Sequence, residues 1–178
     1  MAEDPRNIYF CGMIGSGKTT LGLRLARELD LPFYDLDREM DRRLGYSFHR
    51  LVEEKGWVAF RELEYSICKE FAARTRSLIG LGGGTVRYEW NRDVLRGTGL
   101  IVLLTASLEE LARRVRLADR PRVNVGTSLE EDLEKIWSES AEKYRRAADW
   151  IYSTEKKTVE DAVTELKPRL EEYLLRGA

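Results

Sequence analysis

The stretch that most narrows what this chain can fold into is Gly12-Met-Ile-Gly-Ser-Gly-Lys-Thr-Thr20, directly after a short apolar run at residues 8–11. Gly12, Gly17, Lys18 and Thr19 fit the pattern G-x-x-x-x-G-K-[ST]. That order demands a strand, a tight loop and a helix, here expected over residues 18–29. The glycines let backbone N–H groups turn inward, and the helix points its positive end at the same spot. Such a cradle suits phosphate oxygens. Gly12, Gly15, Ser16, Gly17 and Thr20 then belong to the cradle. Lys18 can reach the β- and γ-phosphates of a bound nucleotide, and the Thr19 hydroxyl can sit on Mg²⁺. A plain glycine turn before a helix accounts for the glycines. It does not account for Lys18 and Thr19 at this spacing.

The rest of the chain alternates strand and helix. Continuous apolar runs at residues 8–11, 32–34, 78–81, 100–104 and 150–152 read as short strands buried on both faces. The expected architecture is a three-layer α/β/α P-loop fold with a central parallel sheet of about five strands. The 178 residues suit a single domain, 1–178, with a lid segment near 113–127. Ser107 with Glu110, and Ser128 with Glu131, open two helices as capping boxes. Thr158 is placed to cap the last helix, which Pro168 should kink or divide.

Charge excludes some functions. The chain is 34% charged, yet 30 basic residues meet 31 acidic ones, for a net charge of −1. That argues against a general nucleic-acid or membrane binder. No apolar run nears the roughly 20 residues of a membrane span. The acidic start, Met-Ala-Glu-Asp-Pro, has no apolar signal region, so a cytoplasmic location is expected. Cys11 and Cys68 lack metal spacing and read as partly buried free thiols. A monomer is expected.

Ligands in open α/β sheets bind beyond the carboxyl ends of the strands. Three features fall there or in a long insertion. Asp35-Leu36-Asp37 follows the second strand. One carboxylate could hold Mg²⁺ through water while the other takes a proton from a substrate hydroxyl; an N-cap role for Asp37 would use the same residue type. Gly82-Gly83-Gly84 follows the third strand, where three glycines imply close backbone approach to a ligand. Residues 113–124 hold five arginines and Pro121, as a basic flap over ATP would, or a solvated loop. Arg61 lies in a helix rich in both charges and reads on its own as a surface residue. His49, the single histidine, and the four tryptophans read as structural.

In these features, taken in order along nearly the whole chain, the sequence resembles the shikimate kinases. They are the phosphate loop, Asp-x-Asp, Phe60-Arg61, the triple glycine, Arg120-Pro121 in the lid, and Tyr144 near the end of the next helix. The resemblance implies transfer of the γ-phosphoryl group of ATP to the 3-hydroxyl of shikimate, a step towards the aromatic amino acids. By the same resemblance Asp35, with Thr19, serves Mg²⁺. Asp37 binds the acceptor hydroxyls and orients or deprotonates the acceptor. Arg61 holds the shikimate carboxylate, and Gly82, Gly83 and Gly84 line its site. Lys18 and Arg120 act on the transferring group, and Arg114 matches loosely an arginine near adenine.

Two positions depart from the family. It usually has an arginine four residues before the tyrosine, on the carboxylate; here that position is Ser140. Its Arg-Pro-Leu-Leu lid reads Arg120-Pro121-Arg122-Val123. Arg122, Arg145 and Arg146 are candidates to replace the missing arginine. A kinase of another polyhydroxylated acid or sugar is the rival reading. A regulatory nucleotide-binding protein without kinase activity is the rival from another class. The guanine-specific Lys-x-Asp motif does not occur.

Overall fold

The computed structural model describes residues 6–118 and 126–176. Its five strands are β1 (Asn7–Cys11), β2 (Phe33–Asp35), β3 (Leu78–Gly80), β4 (Gly99–Thr105) and β5 (Trp150–Ser153). They form one sheet in the order β2-β3-β1-β4-β5, and every pairing is parallel. Each expected strand appears within a residue or two of its apolar run.

The runs are apolar on both faces because both are covered. Ile8 and Phe10 point with Val102 and Leu104 toward Leu21 and Leu25 of α1 (Lys18–Glu28) and Leu166 and Leu170 of α7 (Val159–Arg176). Tyr9 and Cys11 point with Ile79 and Leu103 into a second cluster on the opposite face. That cluster takes residues from α2 (Leu36–Leu44), α3 (Phe48–Ala72), α5 (Leu108–Leu117) and α6 (Leu129–Ala147). The remaining helix, α4 (Glu89–Leu95), packs on α3. The three layers are those expected from the sequence.

Local signals hold in detail. Ser128 and Glu131 form a reciprocal capping box at the start of α6. Ser107 also caps, accepting from Glu110 N at 3.2 Å, but the box stays half-formed. Glu110 instead binds Arg113 and Arg114, and Glu155 takes the Ser107 N–H at 2.8 Å. Thr158 exchanges hydrogen bonds with Asp161 at the start of α7.

Three expectations are corrected. Helix α7 runs through Pro168 undivided. Pro168 and Thr164, four residues back, are both exposed, so the proline stands on the solvent side of the helix. Both cysteines are fully rather than partly buried, and burial pushes the Cys11 thiol up to about 12. Residues 113–117, read as the start of a flap, are the last turns of α5.

Candidate active site

Parallel strands bring their carboxyl ends to one edge. The register sets Asp35 level with Gly80 and Gly80 level with Phe10. The loops after β1, β2 and β3 therefore leave the sheet at the same height, where the chain switches from one side of β1 to the other.

The loop after β1 has the strained backbone its glycines allow. Gly12, Gly15 and Gly17 take φ of 141°, 79° and 103°. A methyl group added at Gly12 would stand 2.4 Å from Leu104 O, so the loop lies against the neighbouring strand. Gly17 starts α1 without a side-chain cap, which leaves the first-turn N–H groups to the loop. The Lys18 amine donates to Gly12 O at 2.8 Å and Met13 O at 3.0 Å, held over the loop. Ser16 is fully buried and its Oγ has no partner among the described residues. Thr20 is exposed on the first turn of α1. Arg114 braces the loop from α5. It donates to Gly15 O at 3.2 Å and to Thr154 Oγ1 and O at 2.9 Å, and Glu110 holds its other edge at 2.7 Å.

Thr19 Oγ1 donates to Asp35 Oδ2 at 2.7 Å, so the two oxygens assigned to a metal are adjacent. Asp35, not Asp37, is the N-cap of α2, accepting from Arg38 N at 3.1 Å. Asp37 is thereby freed from the capping role and sits in the first turn of α2. Burial and then the Asp35 charge raise its carboxyl to about 6, against a smaller opposing pull from Lys18. The wall facing it is the triple glycine. A methyl group at Gly82 would lie 2.9 Å from Asp37 Oδ1, and one at Gly84 would lie 3.0 Å from Arg61 Nη2. Gly83 is held from α6, where the Tyr144 hydroxyl donates to its carbonyl.

Arg61 is not a surface residue. Its side chain is 16% exposed. Its guanidinium lies 4.3 Å from the Tyr88 ring, 4.7 Å from Phe60 and 5.3 Å from Trp57. Nη1 donates to Glu64 Oε2 at 2.7 Å, while Nε is buried with no partner among the described residues. Glu64 is itself fully buried and also accepts from Thr85 Oγ1 at 2.9 Å and Asn91 Nδ2 at 3.1 Å. Helix α3 is interrupted at Gly56, whose φ of 79° and ψ of 177° let a new helical run begin at Trp57. That run carries Phe60, Arg61 and Glu64 to the glycine wall.

The sheet edge thus brings the glycine loop with its lysine, an acid and an arginine together around a wall of glycine. A family model for shikimate kinase matches residues 14–171. The chain belongs to the shikimate kinase family. The shikimate kinase of Paracidovorax citrulli is 37% identical over 169 residues, covering 93% of this chain and 92% of that one. That of Chlorobium luteolum is 34% identical over 178 residues, covering 96% and 88%. The solved shikimate kinase from Acinetobacter baumannii in complex with shikimate superposes with a TM-score of 0.87 at 29% identity, covering 96% and 95%.

Against that family pattern, Ser140 is fully buried, and its Oγ has no partner among the described residues. Two proposed replacements point elsewhere: Arg145 is exposed and lies 5.4 Å from the Trp137 ring, and Arg146 pairs with Glu142 at 3.1 Å. Arg120 and Arg122 lie outside the described residues. The sequence reading missed Glu64 and Arg87. Glu64 carried one signal, a spacing of three from Arg61 on a helix. Trp57, read as structural, flanks the guanidinium.

Proposed function

We propose that this chain transfers the γ-phosphoryl group of ATP, with Mg²⁺, to the 3-hydroxyl of shikimate. The observation that carries it is the glycine wall. Gly82 lies against Asp37 and Gly84 against Arg61, so a hydroxyl acceptor and a carboxylate binder share one surface beside the phosphate loop. Membership of the family points to the same acceptor.

The roles follow from the chemistry of each side chain. Gly12, Gly15, Ser16, Gly17 and Thr20 build the cradle, with Arg114 bracing it. Thr19 and Asp35 offer the oxygen pair that suits Mg²⁺, a metal usually completed by substrate phosphates and water. Bound there, the metal would neutralise charge on the β- and γ-oxygens. Asp37 accepts the proton of the attacking hydroxyl. Its raised pKa makes it a stronger base than an ordinary aspartate while leaving it ionised at neutral pH. Arg61 takes the carboxylate of the acceptor, and Arg120 of the lid segment stabilises the transferring group.

A coupled assay of ADP release over a panel of hydroxyl acceptors tests the reading, with shikimate the best substrate expected. A parent enzyme that ignores shikimate sinks it. Lys18→Ala should lower kcat by about 10²–10³ with the fold intact, since it removes a charge aimed at the phosphates. Near-normal turnover with a normal circular dichroism spectrum would remove Lys18 from the mechanism. The pH profile of kcat/KM should fall below about pH 6 as Asp37 gains a proton. That acid limb should vanish from the residual activity of Asp37→Asn; a limb that persists belongs to another group.

A further inference from the structure

Arg87 ends the 3₁₀ turn Thr85–Arg87 that follows the triple glycine, with its N–H bonded to Gly84 O at 3.1 Å. Its Nε is buried and has no partner among the described residues. Its ion pair with the half-exposed Glu139 of α6 is stretched to 4.0 Å. The charges of Arg87 and Arg61 both act on the Tyr144 hydroxyl, which holds Gly83. Two guanidiniums therefore approach the glycine wall, one from α3 and one from the 3₁₀ turn, each with a buried Nε that the protein leaves unsatisfied. Arg61 is already paired with Glu64 and Arg87 loosely with Glu139, but a buried unsatisfied N–H is costly, so the two Nε groups call for a further acceptor. On α6, Ser140 lies one turn from Tyr144 and adjoins Glu139, and its own hydroxyl is buried and unpartnered. A short side chain at 140 leaves α6 without a guanidinium beside the wall.

We infer that Arg87 is the second arginine on the acceptor carboxylate, delivered from the 3₁₀ turn where α6 carries Ser140, and that it sets specificity for an anionic acceptor. This rests on the reading of the acceptor as shikimate. Arg61 and Arg87 then close on one carboxylate from two sides, and each Nε gains a charged acceptor.

Steady-state kinetics with shikimate and with its methyl ester, which lacks the charge, test the assignment. Arg87→Leu should raise KM for shikimate by about 10- to 150-fold, the range for losing a hydrogen bond to a charged group. KM for the ester and for ATP should hold. Arg87→Lys keeps the charge without the planar fork and should fall between, which also serves if the leucine variant folds poorly. Adding Ser140→Arg to Arg87→Leu should restore the shikimate KM. Shikimate and ester losses that rise together would make Arg87 a merely structural residue and overturn the inference. So would a KM for shikimate that responds to Arg61→Leu but not to Arg87→Leu. A parent inactive on shikimate defeats the broader reading, and this one with it, and is recognised before any variant is made.

Discussion

Asp37→Asn should lose about 10²–10⁴ in kcat and gain thermal stability. The two effects share one cause. Burial and the neighbouring Asp35 raise the carboxyl of Asp37 from 3.8 to about 6 in the folded protein. A raised pKa in an acid means that the folded state holds the proton more tightly than the unfolded chain does. The contribution of this group to stability is then greatest below about pH 4, where both states are protonated, and declines as pH rises to about 6. The shift of about two units is worth about 3 kcal/mol at neutral pH. Asparagine, neutral at every pH, escapes that cost, and its Tm should rise by about 6–12 °C at pH 7.

The pH dependence makes this specific. The stability difference between Asp37→Asn and the parent should shrink as pH falls from 7 and be gone near pH 4. Thermal unfolding of both proteins from pH 4 to 7 reads it directly. A difference that stays constant with pH would show that Asn acts through packing. No gain at pH 7 would show that the folded protein stabilises the Asp37 charge by means other than those described. A residue that destabilises the fold while serving the chemistry is what an active-site base held beside a second carboxylate should look like.

Legibility of the sequence followed the range of the interactions involved. β1, β3 and β4 were legible because a parallel strand covered on both faces must be apolar at every position, as Ile8, Tyr9, Phe10 and Cys11 are. The phosphate loop was legible because its glycines and Lys18 are fixed by backbone geometry over nine residues. Asp35 and Asp37 were legible as a pair, and the family resemblance divided their roles, but which of them caps the helix was not legible. Which of them caps α2 depends on the turn at Leu36 and on Thr19, sixteen residues away. Arg61 looked superficial because its neighbours in sequence are charged. Tyr88 lies over it from another segment, while Thr85 and Asn91 of that segment hold its partner Glu64. Arg87 was invisible for a similar reason. Only the packing of α6 on the 3₁₀ turn shows that its guanidinium faces inward at a place where Ser140 has nothing to offer.

The second large effect concerns Glu64, which touches no phosphate and no acceptor in this reading. Its fully buried carboxylate gathers three donors: Arg61 at 2.7 Å, Thr85 at 2.9 Å and Asn91 at 3.1 Å. Glu64→Ala removes the acceptor of all three and leaves a buried guanidinium without its carboxylate. Breaking a buried pair in that way costs about 3–5 kcal/mol, and a domain of this size loses about 2–4 °C per kcal/mol. Tm should therefore fall by roughly 6–20 °C. Glu64→Gln makes a sharper comparison. Its carbonyl can face Arg61 and Asn91, and its NH₂ can donate to Thr85 Oγ1, because a hydroxyl also accepts. Shape and most hydrogen bonds then survive and only the charge is lost, so the fall in Tm should be much smaller than for alanine. Alanine frees Arg61 while glutamine still holds it by a neutral hydrogen bond, so KM for shikimate should rise more in Glu64→Ala than in Glu64→Gln, while KM for ATP stays near that of the parent in both. Equal losses of Tm in the two variants would mean that the carboxylate charge alone holds the cluster. An alanine variant as stable as the parent would mean that α3 and α4 keep Arg61 in place without Glu64.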